Sequence, residues 1–283
     1  MFNPPEKKKF ESVKLSKEIY KGNAKLITWS GHSTFLYQNL NVNVLTDPHF
    51  TNRASPLSFL GPKRYMPSVF NQKNIPRIDI VVISHNHYDH LDIKTVKIIF
   101  KENPEVTFLV PLGLKYWFNK NGFKNVIEFD WWESFEFNET KFVFVPVQHW
   151  SKRTFFDRNK SLWGGWWIEN KENTFLHLGD TGYSKDFIDI KNRLGSPDIA
   201  AIPIGAYAPR DIMKRSHLNP EEAVQCLIDL DAGLGLAMHW GTFILTHEPV
   251  DEPVKKLYEK LKEYGIKQNR FKVLKHGESV GLY

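Results

Sequence analysis

The sequence predicts layered sheets flanked by helices, in an α/β or α+β arrangement, and two patterns carry that prediction. Short apolar, β-branched runs recur along the chain and end in polar or glycine-bearing corners, as buried strands do. Between them lie segments with helical caps and helical spacing, in both halves of the chain. The strand-like runs begin with 25–29, which leads to Gly31-His32. Val42 to Leu45 leads to Asp47-Pro48, Ile80 to Ile83 to Ser84-His85, and Thr107 to Val110 to Pro111. Phe142 to Val147 leads to His149, Thr174 to Leu178 to Gly179-Asp180, Ile199 to Ile204 to Gly205, and Leu234 to Met238 to His239. Asp92 is placed to cap a helix over 93–99. Asn219 as cap, Pro220 at the first helical position and Glu221-Glu222 in the first turn start another through Leu230. A third runs from Pro253 to Tyr264 and is closed by Gly265.

Composition narrows the class. The chain has 283 residues, 41% hydrophobic and 25% charged, with no fixed-period repeat and no Ser/Gly-rich linker. That pattern favours one domain over 1–283, with 1–20 loosely attached. The single cysteine, Cys226, excludes an intrachain disulfide and leaves any metal site to nitrogen and oxygen donors; inside a helix it reads as a small core residue. The N-terminus has lysines at 7–9 but no apolar stretch behind them, so no secretory signal is expected. No run of apolar residues is long enough for a bilayer-spanning helix. The expected location is cytoplasmic, or peripheral on the cytoplasmic face of a membrane. The net charge of +6 favours anionic partners. Trp131, Trp132, Trp163, Trp166 and Trp167 offer either core packing or an interfacial belt, and packing is the commoner use.

The chemistry sits in Ser84-His85-Asn86-His87-Tyr88-Asp89-His90, directly after a buried run. A zinc ion takes about four nitrogen or oxygen ligands in a tetrahedron, and one short loop cannot aim four side chains at one point. It can send His85 and His87 to one cation and Asp89 and His90 to a second. The remaining ligands must come from other strand ends, and His149, Asp180 and His239 each stand just past an apolar run. A solvated polar loop would not need a β-branched strand in front of it. His32, at another strand end, serves either packing or support of the ligands.

The run from His85 to His90, followed by a His, an Asp and a His at strand ends, resembles the metallo-β-lactamase superfamily. That resemblance implies a four-layer αββα sandwich with two metals at the edge of the facing sheets. By position, His85, His87 and His149 would hold one metal, Asp89, His90 and His239 the other, and Asp180 would bridge them. Asp47 resembles the superfamily's buried aspartate that orients the metal loop. Longer segments narrow the match: Leu45 to Pro48, Asn52 to Pro56, Gly61 to Arg64, Asp130 to Glu133, Gln148 to Trp150, Gly179 to Tyr183, Ile202 to Tyr207, His239 to Phe243 and Lys275 to Ser279. Together they resemble the N-acyl-phosphatidylethanolamine-hydrolysing phospholipase D family, from about Leu26 to Ser279. Two departures stand out: the animal members carry an N-terminal extension this chain mostly lacks, and a tyrosine where Ile93 stands.

The resemblance implies two zinc ions, with iron or manganese able to fill the same donors. It implies a phospholipid substrate at a peripheral membrane surface, and no nucleic acid; a homodimer is left open. Two adjacent cations lower the pKa of a water between them, which would attack phosphorus and release N-acylethanolamine from phosphatidic acid. Asp180 would help orient that nucleophile. His217 and Tyr88 match positions the family uses for substrate contact, and His217 is the better proton carrier of the two. A lactonase or nuclease of the same superfamily would use the same ligands, and a nuclease should add a basic track.

Overall fold

In a computed structural model that describes residues 10–39 and 42–282, the strands form two seven-stranded sheets. The first contains β1 (Leu26–Gly31), β2 (Thr34–Asn39), β3 (Val42–Thr46), β4 (Ile80–Val82), β5 (Thr107–Pro111) and β6 (Val126–Phe129). The second contains β7 (Ser134–Phe137), β8 (Thr140–Val145), β9 (Gly165–Glu169), β10 (Thr174–His177), β11 (Ile199–Pro203), β12 (Leu234–Met238) and β13 (Phe271–Lys272). The last strand, β14 (Ser279–Gly281), returns to pair with β1. The orders are β14-β1-β2-β3-β4-β5-β6 and β13-β12-β11-β10-β9-β8-β7. Each sheet is antiparallel at one end and parallel at the other, with β3 to β6 and β10 to β13 parallel.

The parallel halves need crossovers, and the helices supply them. Beside the first sheet lie α1 (Ile93–Glu102) and α2 (Lys115–Lys120). With the second go α3 (Asp186–Leu194), the short α4 (Arg210–Met213), α5 (Pro220–Asp229) and α6 (Glu252–Glu263). The Asp92 carboxylate caps α1 by accepting from Lys94 N and Thr95 N. That helix runs three residues past its expected end. It stops at Asn103, which precedes Pro104 and is therefore biased out of the helical region. Asn219 and Glu222 close a reciprocal capping box at the start of α5.

Alternation along the central strands sorts side chains into layers. Val44, Ile80 and Val82 point into a core shared with Phe142, Phe144, Trp166 and Phe175 of the second sheet. Their neighbours Leu45, Val81 and Ile83 face the other way, onto Val96 and Ile99 of α1 and Phe118 of α2. Ala223, Val224 and Leu227 of α5 and Leu257 and Leu261 of α6 are buried with the second sheet. The result is the expected four-layer αββα sandwich. Each fully buried Val, Leu, Ile or Phe side chain among them contributes about 1.5–3 kcal/mol relative to exposure. Cys226 is buried in the same core.

Trp166 and Trp167 are fully buried, and Trp131, Trp132 and Trp163 pack, partly buried, against the same core, so all five serve core packing. Residues 10–20, expected to be loosely attached, touch the body of the fold at several points. Phe10 packs edge-on against Trp240, Val13 N donates to the His276 carbonyl, and Ile19 is buried. The lysines at 7–9 lie outside the described residues. Among the described residues no helix is long and apolar enough to cross a membrane.

Candidate metal centre

Six strands end at one rim of the sandwich, and each is followed by a side chain of the cluster. His32 follows β1, Asp47 follows β3 and the loop from His85 to His90 follows β4. His149, Asp180 and His239 follow β8, β10 and β12. The backbone at this rim is unusual. His32, Asp47 and His239 have φ of 54°, 36° and 60°, a region that non-glycine residues seldom occupy and that clusters at functional sites.

Cross-sheet hydrogen bonds hold the rim together. Trp166 Nε1 donates to the Ile83 carbonyl at 2.9 Å and Gly164 N to the Ser84 carbonyl at 3.0 Å. His239 N donates to the His32 carbonyl at 3.0 Å. Gly179, at φ +62°, lets the Asp180 turn approach the metal loop, since a Cβ there would fall 2.6 Å from Ser84 Cβ.

Asp47 is the anchor of the loop. Its buried carboxylate accepts from Ser84 N at 2.7 Å and Ser84 Oγ at 2.6 Å. It also meets His90 Nδ1 at 2.8 Å and His177 Nε2 at 3.0 Å. Burial alone would raise its pKa; His90 and His177 hold it well below the usual carboxylate range. With Nδ1 engaged, His90 turns Nε2 toward Asp180 and Asp89.

The donors form two adjoining sets. His85 Nε2, His87 Nδ1 and His149 Nε2 make the first, with separations of 2.9 Å and 3.2 Å across His87. In the second, His239 Nε2 lies 3.4 Å from Asp89 Oδ2 and 3.2 Å from Asp180 Oδ1, and His90 Nε2 lies 3.4 Å from Asp89 Oδ2 and 3.2 Å from Asp180 Oδ2. Asp180 stands between the sets, its Oδ2 3.9 Å from both His85 and His149. Ligands bound at about 2.0–2.1 Å in a tetrahedron lie about 3.3 Å apart, so these spacings suit a cation in each set.

Unpartnered atoms point the same way. His90 Nε2, His239 Nε2, Asp180 Oδ1 and His217 Nδ1 are buried without a hydrogen-bond partner, a cost of about 1–3 kcal/mol each unless a ligand answers them. Burial holds His85 and His149 well below the ordinary histidine value and His87 at about 4, so these rings are neutral and their lone pairs are free at neutral pH. Burial opposes charge on His239 as well, yet Asp180 and Asp89 raise it to about 9. Asp180 itself, which burial would raise, is held well below its usual range by His239 and His90. A buried site this rich in carboxylate and imidazole is built for positive charge.

The structure therefore gathers all seven residues assigned to the metals, together with Asp47 behind them. His217 joins them: its Nδ1 is 4.0 Å from Asp180 Oδ2, and its ring lies 5.3 Å from His149. Tyr88 is engaged differently. Its hydroxyl donates to the Arg153 carbonyl at 3.0 Å, the Arg153 guanidinium covers its ring at 4.1 Å, and it lines a cleft of about 340 Å³ with Ile93, Leu114 and Trp117.

Two histidines matter more than the sequence indicated. His32 Nε2 meets Asp89 Oδ2 at 2.9 Å, with its ring against His239 at a centroid distance of 4.1 Å. Its position at a strand end was a signal. His177 supports Asp47 from within β10, where no signal marked it.

Four layers with His and Asp donors converging on one sheet rim define a metal-dependent hydrolase of the β-lactamase class. The profile of the Beta-lactamase superfamily domain matches residues 42–240. The N-acyl-phosphatidylethanolamine-hydrolyzing phospholipase D 1 of Caenorhabditis elegans is 42% identical over 82% of this chain and 68% of its own length. The mitochondrial enzyme of the same name from Saccharomyces cerevisiae is 39% identical over 84% of this chain and 52% of its own length. Among solved structures, an isothiocyanate hydrolase from Delia radicum gut bacteria superposes with a TM-score of 0.71 at 18% identity, over 90% of this chain and 98% of that one, and shares the fold. The chain belongs to the N-acyl-phosphatidylethanolamine-hydrolysing phospholipase D family within the β-lactamase superfamily, and it is a metal-dependent hydrolase.

Proposed function

We propose that this chain is a zinc-dependent phosphodiesterase of phospholipase D type. Its substrate would be N-acyl-phosphatidylethanolamine at a membrane surface, and its products N-acylethanolamine and phosphatidic acid. The observation that carries this reading is the 42% identity to the nematode enzyme, spread over 82% of the chain and so far beyond the metal donors. Two divalent cations bound in the two donor sets would supply a water-derived nucleophile near neutral pH and offset charge on the phosphate oxygens. Zinc suits the imidazole and carboxylate donors, and iron or manganese could occupy the same atoms.

The chain's own groups divide the remaining work. Asp180, whose Oδ1 meets His239 and whose Oδ2 lies between His90 and the first set, would help orient the attacking water. That water would add to phosphorus and give up a proton while the bond to the N-acylethanolamine oxygen breaks, and the departing alkoxide would take up a proton in its place. His217, buried and with Nδ1 aimed at the donor sets, is placed to meet a phosphate oxygen or that leaving group. Tyr88, its hydroxyl committed to Arg153, contributes through the wall of the cleft beside the loop. Ile93 shares that wall and makes it more apolar than a tyrosine would.

Purified protein, with and without chelator, tests this against N-acyl-phosphatidylethanolamine, a lactone and RNA in parallel. The expected result is release of phosphatidic acid, abolished by chelation and restored by zinc. Chelator-sensitive turnover of the lactone or RNA alone would replace the lipid substrate while keeping the metals.

A further inference from the structure

Between His149 and β9 the chain makes an excursion tied at its base to the metal loop. Lys152 N donates to Asn86 Oδ1 at 2.7 Å, and Arg153 Nη1 donates to the carbonyls of Asn86 and Leu91 at 2.9 Å and 2.7 Å. Asp157 closes the turn above, accepting from the amides of Arg153 and Thr154 at 3.0 Å and 2.7 Å. The turn holds Phe155 and Phe156 out into solvent, 90% and 85% exposed. Lys152, Arg158 and Lys160 flank this aromatic pair, with Asp157 as the one carboxylate of the segment. Across the cleft that Pro56 shares with Arg153 and Thr154, a second turn exposes Leu57, Phe59 and Leu60. His87, Tyr88 and Asp89 are the members of the metal loop that solvent reaches, and Arg153 lies on Tyr88. The apolar tips therefore rise beside the opening of the site.

We propose that the 152–160 loop, with the turn at 57–60, is an insertion edge that seats the mouth of the metal centre on an anionic phospholipid bilayer. Adjacent exposed aromatic rings on an ordered turn suit the boundary between headgroups and acyl chains, and flanking cations suit an anionic surface. A second copy of the chain fits less well. A tip-to-tip contact would bring Lys152, Arg158 and Lys160 of both copies together. The proposal deepens the lipid reading of this site, but docking can be measured without turnover.

The test is co-sedimentation with vesicles of equal parts phosphatidylcholine and phosphatidylglycerol, against pure phosphatidylcholine vesicles. The unaltered protein should bind the mixed vesicles more tightly, and added salt should weaken that binding. Phe155→Ser with Phe156→Ser should cut vesicle partition by roughly tenfold or more, with thermal melting and hydrolysis of a soluble phosphodiester unchanged. A fluorophore placed through Phe156→Cys, selective because the lone native Cys226 is buried, should shift to the blue on vesicle addition. Partition undiminished in the double variant, a label that stays in water, or no vesicle binding by the unaltered protein overturns the proposal. So does a dimer that the double variant dissolves while vesicle binding persists. Binding through this edge without cleavage of N-acyl-phosphatidylethanolamine would instead refute the substrate and leave the docking surface standing.

Discussion

From the first sheet the metal donors arrive in one loop, His85 to His90, pinned from beneath by Asp47. From the second they arrive singly, with His149, Asp180 and His239 at the ends of three different strands. The loop depends on local hydrogen bonds; the single donors depend on the register of β8, β10 and β12 and on the packing of one sheet against the other. This division teaches that the two halves should fail differently. Damage to the loop's anchor should misplace several donors at once, whereas loss of one strand-end donor should remove one ligand and leave the rest in place.

Asp180 stands where the two halves meet, so it carries the largest expected effect. Asp180→Asn should lower turnover roughly a thousandfold or more and reduce the metal content of both sets. His87→Ala should damage activity as severely but cost only one equivalent of metal by elemental analysis. Full occupancy in the Asp180 variant, with turnover retained, would break the proposed division. Removing metal tests both halves together. Zinc returned to chelated protein at about a hundredfold excess over its dissociation constant should add about 2.7 kcal/mol of stability for each set it fills, or roughly 5–10 °C in melting temperature per set.

The anchor of the loop comes next. Asp47→Asn keeps the volume but removes the charge that faces His90 and His177, and metal affinity should fall about 10- to 100-fold. Because Ser84, His90 and His177 all lean on this carboxylate, affinity in both donor sets should drop. His32→Leu is narrower. It strips Asp89 of one partner, so the set holding Asp89 and His239 should weaken about tenfold while His85, His87 and His149 keep their cation. His32→Gln, which can still donate to Asp89, should recover most of the loss. Cobalt absorption spectra of the two variants would separate the sets, and equal weakening of both by His32→Leu would argue against its local role.

The same division explains what the sequence made legible. A loop that packs three histidines and an aspartate behind a β-branched run is visible because its spacing is local. His149, Asp180 and His239 acquire meaning only beside it, since a lone polar residue at a strand end ordinarily caps or hydrogen-bonds. The layers were legible where alternation is plain, as at Ile80 to Ile83, and less so at Thr34–Asn39, where every residue of β2 is buried and alternation disappears. His177 was opaque because its partner Asp47 lies 130 residues away. Trp166 and Trp167 showed a bulky run, but only the facing sheet reveals that both rings are enclosed. Helix ends were legible at the caps and less so where amphipathic spacing continues, as α1 does until Pro104 halts it.

The smallest expected effect lies behind His217, the one cluster residue that precedes a helix rather than following a strand. Asn219 caps α5 through Glu222 N, and Glu222 in turn binds Arg210, whose Nη1 donates to the His217 carbonyl at 2.7 Å. Asn219→Ala removes the cap but leaves the link from Glu222 through Arg210 to His217. Stability should therefore fall by about 1 kcal/mol, or roughly 2–4 °C in melting temperature, with turnover nearly unchanged. Arg210→Met cuts the link itself and spares the cap, so it should disturb turnover more than melting. If the two variants behave alike, helix stability and His217 placement are one property, and the second sheet is less modular than its separate strand ends suggest.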